Sequence, residues 1–210
     1  DRGKTWSDGI RLPDGILGPI KNKPIQLSDG TIISPSSTET RTTEGLNWKV
    51  HIEKSNDDGK SWTKIPVDPQ TEFDVIQPSV LVLDEEHLQI LCRSRNNSIM
   101  QAFSKDNGNS WSQITRTVLP NPNSGTDAIS LSNGLHLLVY NPTLRGKNGR
   151  SKLSVAISVT GDEWEEVLSL ENEKEGEFSY PAVIESSDRK IHITYTHNRR
   201  NIKHVVLEFN

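Results

Sequence analysis

The chain has 210 residues, 32% of them apolar and 25% charged, with a formal net charge of −4 at neutral pH. No stretch approaches the roughly 18 consecutive apolar residues of a membrane-spanning helix, and the acidic balance argues against a nucleic-acid partner, which calls for a basic face. Five Trp, three Tyr and four Phe among regularly spaced Val, Ile and Leu exclude a disordered chain, and Cys92, as the single cysteine, excludes an internal disulfide or a cysteine-based zinc site.

The first element in the chain is a turn. Asp1-Arg2-Gly3-Lys4-Thr5-Trp6 is the back half of a pattern, S-x-D-x-G-x-x-W, that returns complete at residues 55–62 and 104–111 and shortened at 158–164. The motif tryptophans, Trp6, Trp62, Trp111 and Trp164, lie 56, 49 and 53 positions apart. A period of about 50 is what four strands of about six residues need together with their turns, so the repeat predicts successive four-stranded sheets. In each motif the Asp and Ser side chains can bond nearby amides, Gly supplies a positive φ, and Trp packs beneath the turn. A calcium loop would need ligands at alternate positions and a closing Glu about twelve residues on; the motif has neither.

Between the motifs the sequence reads as strands. Residues 23–28, 31–38 and 47–55 form a first set, with a hairpin turn at Ser28-Asp29-Gly30, and 63–67 follows Trp62. Residues 76–83, 87–95 and 98–104, then 112–118, form a second. Residues 126–132, 135–141 and 151–158, then 165–170, form a third, with its turn at Ser132-Asn133-Gly134. Residues 180–186, 190–197 and 201–208 form a fourth, with no motif after them. No segment of ten residues holds a helical period, so the expected class is all-β. The expected division is the end of an earlier blade at 1–17, blades at 18–72, 73–123 and 124–175, and a last blade at 176–210 that lacks its closing strand. Such a set cannot close a ring, so the stretch is expected to be the C-terminal portion of a longer protein.

On these motifs the sequence resembles the sialidase (exo-α-neuraminidase) superfamily, and within it the BNR-repeat, or Asp-box, neuraminidase-like proteins. Gly18-Pro19-Ile20 through Gln26-Leu27-Ser28-Asp29-Gly30-Thr31, with Pro35, is similar to the family's third blade. Gln77-Pro78-Ser79-Val80-Leu81-Val82-Leu83 with Leu88-Gln89-Ile90-Leu91-Cys92-Arg93 resembles the fourth, and Leu137-Leu138-Val139-Tyr140-Asn141-Pro142 with residues 145–150 the fifth. Tyr180-Pro181-Ala182-Val183 with Ile191-His192-Ile193-Thr194-Tyr195 resembles the sixth. The resemblance implies a six-bladed β-propeller of sialidase type, of which this chain covers about four blades. It implies a glycosidase of exo-α-sialidase type acting on an acidic oligosaccharide or glycoconjugate, secreted or periplasmic, with no cofactor and no metal. Asp boxes also occur in propellers without sialidase activity, so the motif is more specific for fold than for chemistry.

The resemblance also assigns residues. The family grips a substrate carboxylate with arginines, whose planar, permanently charged forks suit that group. Arg93 falls at the second arginine position; Arg145, with Arg150 close behind it, falls at the third; the first lies upstream of Asp1. Tyr180 falls at the nucleophile, where a phenol avoids the repulsion a carboxylate would meet from an anionic substrate. The base that activates it is a glutamate at the start of the fourth blade; here that position is Gln77, and an amide cannot take a proton. Glu177 and Glu39 are the alternative bases, and the family's acid/base aspartate also lies upstream. Glu39, Arg95, Asn141 and His197 follow second strands, while Lys21, Asn22, Lys23, Asn123, Ser124 and Asp127 flank first strands, so these could meet sugar hydroxyls. The histidines show no paired spacing such as H-E-x-x-H. Three readings stand. The first is a sialidase-like hydrolase, expected to be inactive as this stretch alone. The second is a non-catalytic carbohydrate-binding propeller, favoured by Gln77. The third is an enzyme on uronic-acid glycans, with arginines on a glucuronate.

Overall fold

The computed structural model describes Asp1, residues 3–43 and residues 45–208; Arg2, Glu44 and residues 209–210 lie outside the described residues. Among the described residues there are fifteen strands in four antiparallel sheets. The first sheet holds β1 (Ile25–Gln26), β2 (Ile32–Thr42), β3 (Gly45–Ser55) and β4 (Thr63–Pro66). The second holds β5 (Val75–Val82), β6 (Leu88–Ser94), β7 (Ser98–Ser104) and β8 (Thr115–Pro120). The third holds β9 (Asp127–Ser130), β10 (His136–Tyr140), β11 (Lys152–Ser158) and β12 (Glu165–Asn172). The fourth holds β13 (Phe178–Glu185), β14 (Ile191–His197) and β15 (Asn201–Leu207). Every strand pairs with its neighbour in sequence, so each sheet is a plain meander. No described helix is long and apolar enough to cross a membrane.

The strands fall close to where the turn motifs and apolar runs place them, with three main differences, the first being that β1 keeps only Ile25–Gln26 of the expected 23–28. β2 and β3 pair without a break from Ile32↔Ser55 to Thr42↔Gly45, an eleven-residue hairpin longer than its apolar stretch suggests. β8 begins at Thr115 because the preceding amides are engaged elsewhere: Ser112 N–H donates to Phe103 O at 2.8 Å and Ile114 N–H to Asp68 Oδ2 at 2.9 Å.

Adjacent sheets stack face to face, which is why β6 and β10 are buried at every position and read as continuous apolar runs. Ile33, Ile52, Leu88 and Ile90 fill the space between the first and second sheets. Leu81, Leu91, Leu138 and Ala156 fill that between the second and third, and Leu137, Val155, Val183, Ile193 and Tyr195 that between the third and fourth. Each fully buried Leu or Ile contributes about 1.5–3 kcal/mol, and no strand-to-strand ladder joins one sheet to the next. These apolar clusters therefore hold the four sheets together as successive blades of a β-propeller. Side-chain bonds set their register: Gln89 Nε2 donates to Gly161 O at 2.9 Å, and Ser130 Oγ accepts from Val82 N–H at 2.9 Å.

The Asp-box turns link third and fourth strands. In the first complete copy Ser55 Oγ accepts from Gly59 N–H at 2.8 Å, while Asp57 accepts from Ser61 N–H at 2.8 Å and Ser61 Oγ at 2.6 Å. The second copy repeats the pattern with Ser104, Asp106 and Ser110 at the same distances. The indole N–H of Trp62 donates to Gly59 O at 2.9 Å, and that of Trp164 to Gly161 O at 2.7 Å. Gly108 is required twice over: its φ is +78°, and a Cβ there would press on Ile33 Cδ1 at 3.2 Å. The bonds from Ser61, then from Ser55, hold the Asp57 carboxyl down at about 2, and those from Ser110 and Ser104 hold Asp106 below its ordinary value. Stability gained this way is complete above the unfolded carboxylate pKa and is lost as pH falls through the folded one. In Asp57→Asn the melting temperature is expected to fall less steeply than in wild type as pH drops from about 4 to about 2; parallel slopes in thermal melts would refute the assignment.

Candidate functional site

Each sheet presents one non-glycine residue in the left-handed backbone region near the start of its first strand: Lys21 (φ 68°), Gln77 (φ 56°), Asn123 (φ 66°) and Tyr180 (φ 51°). In β5 and β13 the pairing shifts at this point, between Ile76 and Ser79 and between Ser179 and Ala182. The sequence supplies the reason. Pro78 and Pro181 follow directly, and proline has no N–H for the ladder, so the strand bulges. A left-handed non-glycine residue costs about 1–3 kcal/mol, a strain that clusters at sites. The side chains converge on Gly125, where a Cβ would lie 3.2 Å from each of Gln77 Oε1, Lys21 Cε and Tyr180 Cδ1. All four sheets thus meet at one point.

Over this floor lies Arg93, at 8% exposure, delivered by β6. Its Nε donates to Asn123 Oδ1 at 3.0 Å, and its Nη1 to Gln77 Oε1 at 3.2 Å and Tyr180 OH at 3.5 Å. Its Cζ stands 5.2 Å from the Trp48 ring centroid and 6.0 Å from that of Tyr180. Nη2 makes no hydrogen bond among the described residues. Arg150 closes the other side, with Cζ 5.3 Å over the Tyr180 ring, Nη1 3.1 Å from Glu177 Oε1 and Nη2 donating to Asn123 O at 3.2 Å. Burial works against ionising Tyr180, but Arg93 and then Arg150 outweigh it and hold the phenol below its ordinary value. Burial likewise draws Arg93 down, opposed by Tyr180. The cluster can offer an anion two guanidinium charges and the unengaged Nη2 of Arg93, and present a half-exposed, acidified phenol beside it.

The other candidates occupy different surroundings. Glu177 lies against Arg199 Nε at 2.6 Å, Arg150, and Ser179 Oγ at 3.3 Å. Burial would raise its pKa, but Arg199 and Arg150 prevail and keep it low, and it makes no hydrogen bond to Tyr180 among the described residues. Glu39 accepts from Trp48 Nε1 at 2.9 Å, and Arg95 stacks on the same indole at 3.8 Å while donating to Leu46 O at 2.9 Å. Both contact Trp48, and the Glu39 carboxylate is among the charges that support the Arg93 guanidinium. Asp127 is buried and knits three other sheets to its own, through Lys23 Nζ at 2.9 Å, Ser79 Oγ at 3.2 Å and Val183 N–H at 2.8 Å. Buried Asn141 donates to Phe178 O at 2.8 Å and so fixes the start of β13. Arg145 sits exposed on the 141–151 loop, with its own N–H donating to Asn97 Oδ1 at 3.0 Å and its side chain making no hydrogen bond to the cluster among the described residues. Of the residues picked out from sequence, the structure gathers Arg93, Arg150, Tyr180, Gln77, Asn123 and Lys21.

Lys21 and Trp48 carry more of the site than their sequence surroundings show. Lys21 Nζ donates to Thr126 O and Pro181 O, both at 2.6 Å. Burial brings its amine down to about 8, with Lys23 and Arg93 adding to the effect and Asp127 opposing it. Trp48, outside the motif series, gives no periodic signal, although it is the platform for both Arg93 and Arg95. Among the described residues no group of three or more His, Cys, Asp or Glu side chains could hold a metal ion.

Comparison with known proteins gives a consistent picture. The family model described as BNR repeat-like domain matches residues 1–193. A sialidase of Paraclostridium sordellii is 30% identical over 127 residues, covering 53% of this chain and 30% of that protein. An anhydrosialidase of Macrobdella decora is 22% identical, covering 93% of this chain and 28% of that protein. The chain thus spans less than a third of the length of these relatives. Among solved structures, a Dyadobacter fermentans protein of unknown function superposes with a TM-score of 0.78 at 16% identity, covering 100% of this chain and 62% of that one. The NanB sialidase of Streptococcus pneumoniae superposes with a TM-score of 0.72 at 16% identity, covering 99% of this chain and 34% of that one. The four sheets are therefore part of a sialidase-type propeller.

Proposed function

Since the chain belongs to the BNR repeat-like domain family of the sialidase superfamily, we propose that its axial cleft holds the carboxylate of a terminal acidic sugar, as part of a glycosidase acting from the non-reducing end. The observation that carries this reading is the placement of Tyr180 between two guanidinium groups, Arg93 at 3.5 Å from its hydroxyl and Arg150 over its ring. The Nη2 of Arg93, without a hydrogen bond among the described residues, can donate to a carboxylate, and a phenol so flanked is the group to approach the adjacent anomeric carbon. Its oxygen would bond to that carbon as the bond to the leaving oxygen breaks, the phenol's proton ending on the leaving hydroxyl; water then displaces the tyrosine from the covalent glycosyl–tyrosine and gives it back a proton. Gln77 cannot deprotonate the phenol; the two arginines supply part of what a base would, by lowering its pKa.

The expected result is that this chain binds sialyllactose and not lactose in isothermal titration. Equal binding of the two, or of neither, would overturn the reading. A glucuronate-terminated disaccharide that outcompetes sialyllactose would instead assign the cleft to uronic-acid glycans. One observation favours a purely binding propeller: no carboxylate hydrogen-bonds Tyr180 among the described residues. Cleavage of a sialoside by the longer protein, abolished in Tyr180→Phe while binding persists, separates the enzyme from that alternative.

A further inference from the structure

Beside the arginine cluster lies a second recess of about 320 Å³, lined by Asn123, Arg145, Lys147, Gly149, Arg150 and Glu177 among others. It adjoins the arginine cluster, because Arg150 and Asn123 line the recess and also contact Tyr180 and Arg93. Its charge is unbalanced. Arg145 and Lys147 have no ion-pair partner among the described residues, and the single carboxylate, Glu177, is already held by Arg150 and Arg199. No aromatic ring lines it, so the stacking platform a neutral sugar favours is missing. Uncompensated like charges repel one another, and an anion that settles among them relieves the repulsion.

The loop that carries the cations is also pinned. Arg145 N–H donates to Asn97 Oδ1 at 3.0 Å, Gly149 N–H to Gly146 O at 3.2 Å, and Asn148 Nδ2 to Lys174 O at 2.8 Å. Gly149 lets the loop lie flat, since a Cβ there would meet Pro122 Cβ at 2.8 Å. A loop ordered before binding loses less entropy on capture of a ligand.

We infer that this recess is a second anion subsite, formed by Arg145, Lys147 and the outer side of Arg150, which takes a carboxylate or sulfate on the sugar next to the one held at the axis. The inference rests on the axial reading above, and it makes the preferred ligand a glycan with two acidic groups on neighbouring residues. Two ion pairs at a partly exposed site are expected to bring about a five- to tenfold gain in affinity, shrinking as salt is added.

The test compares sialyllactose, with one charge, against disialyllactose and a sulfated sialyllactosamine, in wild type and in the Arg145→Gln/Lys147→Gln double variant. Wild type is expected to bind at least one of the doubly charged ligands about five- to tenfold more tightly, and which one is preferred tells carboxylate from sulfate. The double variant is expected to lose that preference while its affinity for sialyllactose stays within about twofold. Binding of sialyllactose with no preference for a second charge, or a preference that survives in the double variant, overturns the subsite and leaves the axial reading intact. Failure of wild type to bind any of the three ligands overturns both.

Discussion

Arg93→Ala is expected to weaken binding of sialyllactose roughly 10- to 150-fold, the loss of about 1.5–3 kcal/mol that a charge-assisted bond supplies. The effect is large because Arg93 is buried to 8% exposure and uses only Nε and Nη1 on the protein, toward Asn123, Gln77 and Tyr180. Arg93→Lys keeps the charge and loses the fork, so it is expected to recover only part of the affinity. A readout free of ligand accompanies this. Burial pushes the Tyr140 hydroxyl up to about 12, and burial with Glu171 pushes Tyr195 higher still. Tyr180, held below the ordinary phenol value, is then the first tyrosine to ionise. In Arg93→Ala that first step in the tyrosinate absorbance titration moves to higher pH, because the larger of the two favourable arginine contributions is gone. An unmoved first step together with unchanged affinity would remove Arg93 from the site.

Lys21→Met is expected to abolish the rise of stability with pH that wild type shows above pH 8, and to weaken binding of the acidic ligand. The ammonium rests on two backbone carbonyls and near Asp127, yet burial dominates and lowers the amine to about 8. Between pH 8 and the unfolded value of 10.5 the unfolded chain holds a proton that the folded chain has released. Wild-type stability therefore climbs with pH across that window. The variant has no such group and is expected to lack the climb. Asp127 keeps Lys23, Ser79 and Val183 after the change, so it is not orphaned. Urea denaturation from pH 7 to 10 checks the slope; a variant that keeps the wild-type slope contradicts the assignment. A charge kept at a cost in stability beneath Tyr180 is what a site needing positive potential requires.

Legibility of the molecule from sequence differs by level. The S-x-D-x-G-x-x-W turns are local chemistry, in which every bond joins residues at most four positions apart, so the motif reveals its own geometry and thereby the sheet corners. Strand positions follow from those corners and from apolar runs such as Leu88-Gln89-Ile90-Leu91. The choice between Arg145 and Arg150 is not local: it depends on the path of the 141–151 loop, which bonds to Asn97 in another sheet and to Lys174. Position alone ranks Arg145 first, whereas the fold turns Arg150 onto the Tyr180 ring. Asn141 and Asp127 sit at strand ends as active-site residues do, but the Asn141 amide nitrogen and the Asp127 carboxylate are engaged by the framework. The Lys21 contacts with Thr126 and Pro181 span 105 and 160 residues, a distance over which no pattern in a single sequence speaks.

Strictly sequential pairing within each sheet has a consequence for how the molecule is made. Each sheet closes from one contiguous stretch, so its ladders need no partner that has yet to leave the ribosome, and the loop-closure cost stays small. What must wait is docking, when the face of one finished unit meets the next and Ile33, Leu91 or Ile193 is covered. Synthesis from the N-terminus can therefore lay units down one after another. The cleft, drawing on Lys21, Gln77, Gly125 and Tyr180, comes into being only when the last of them arrives.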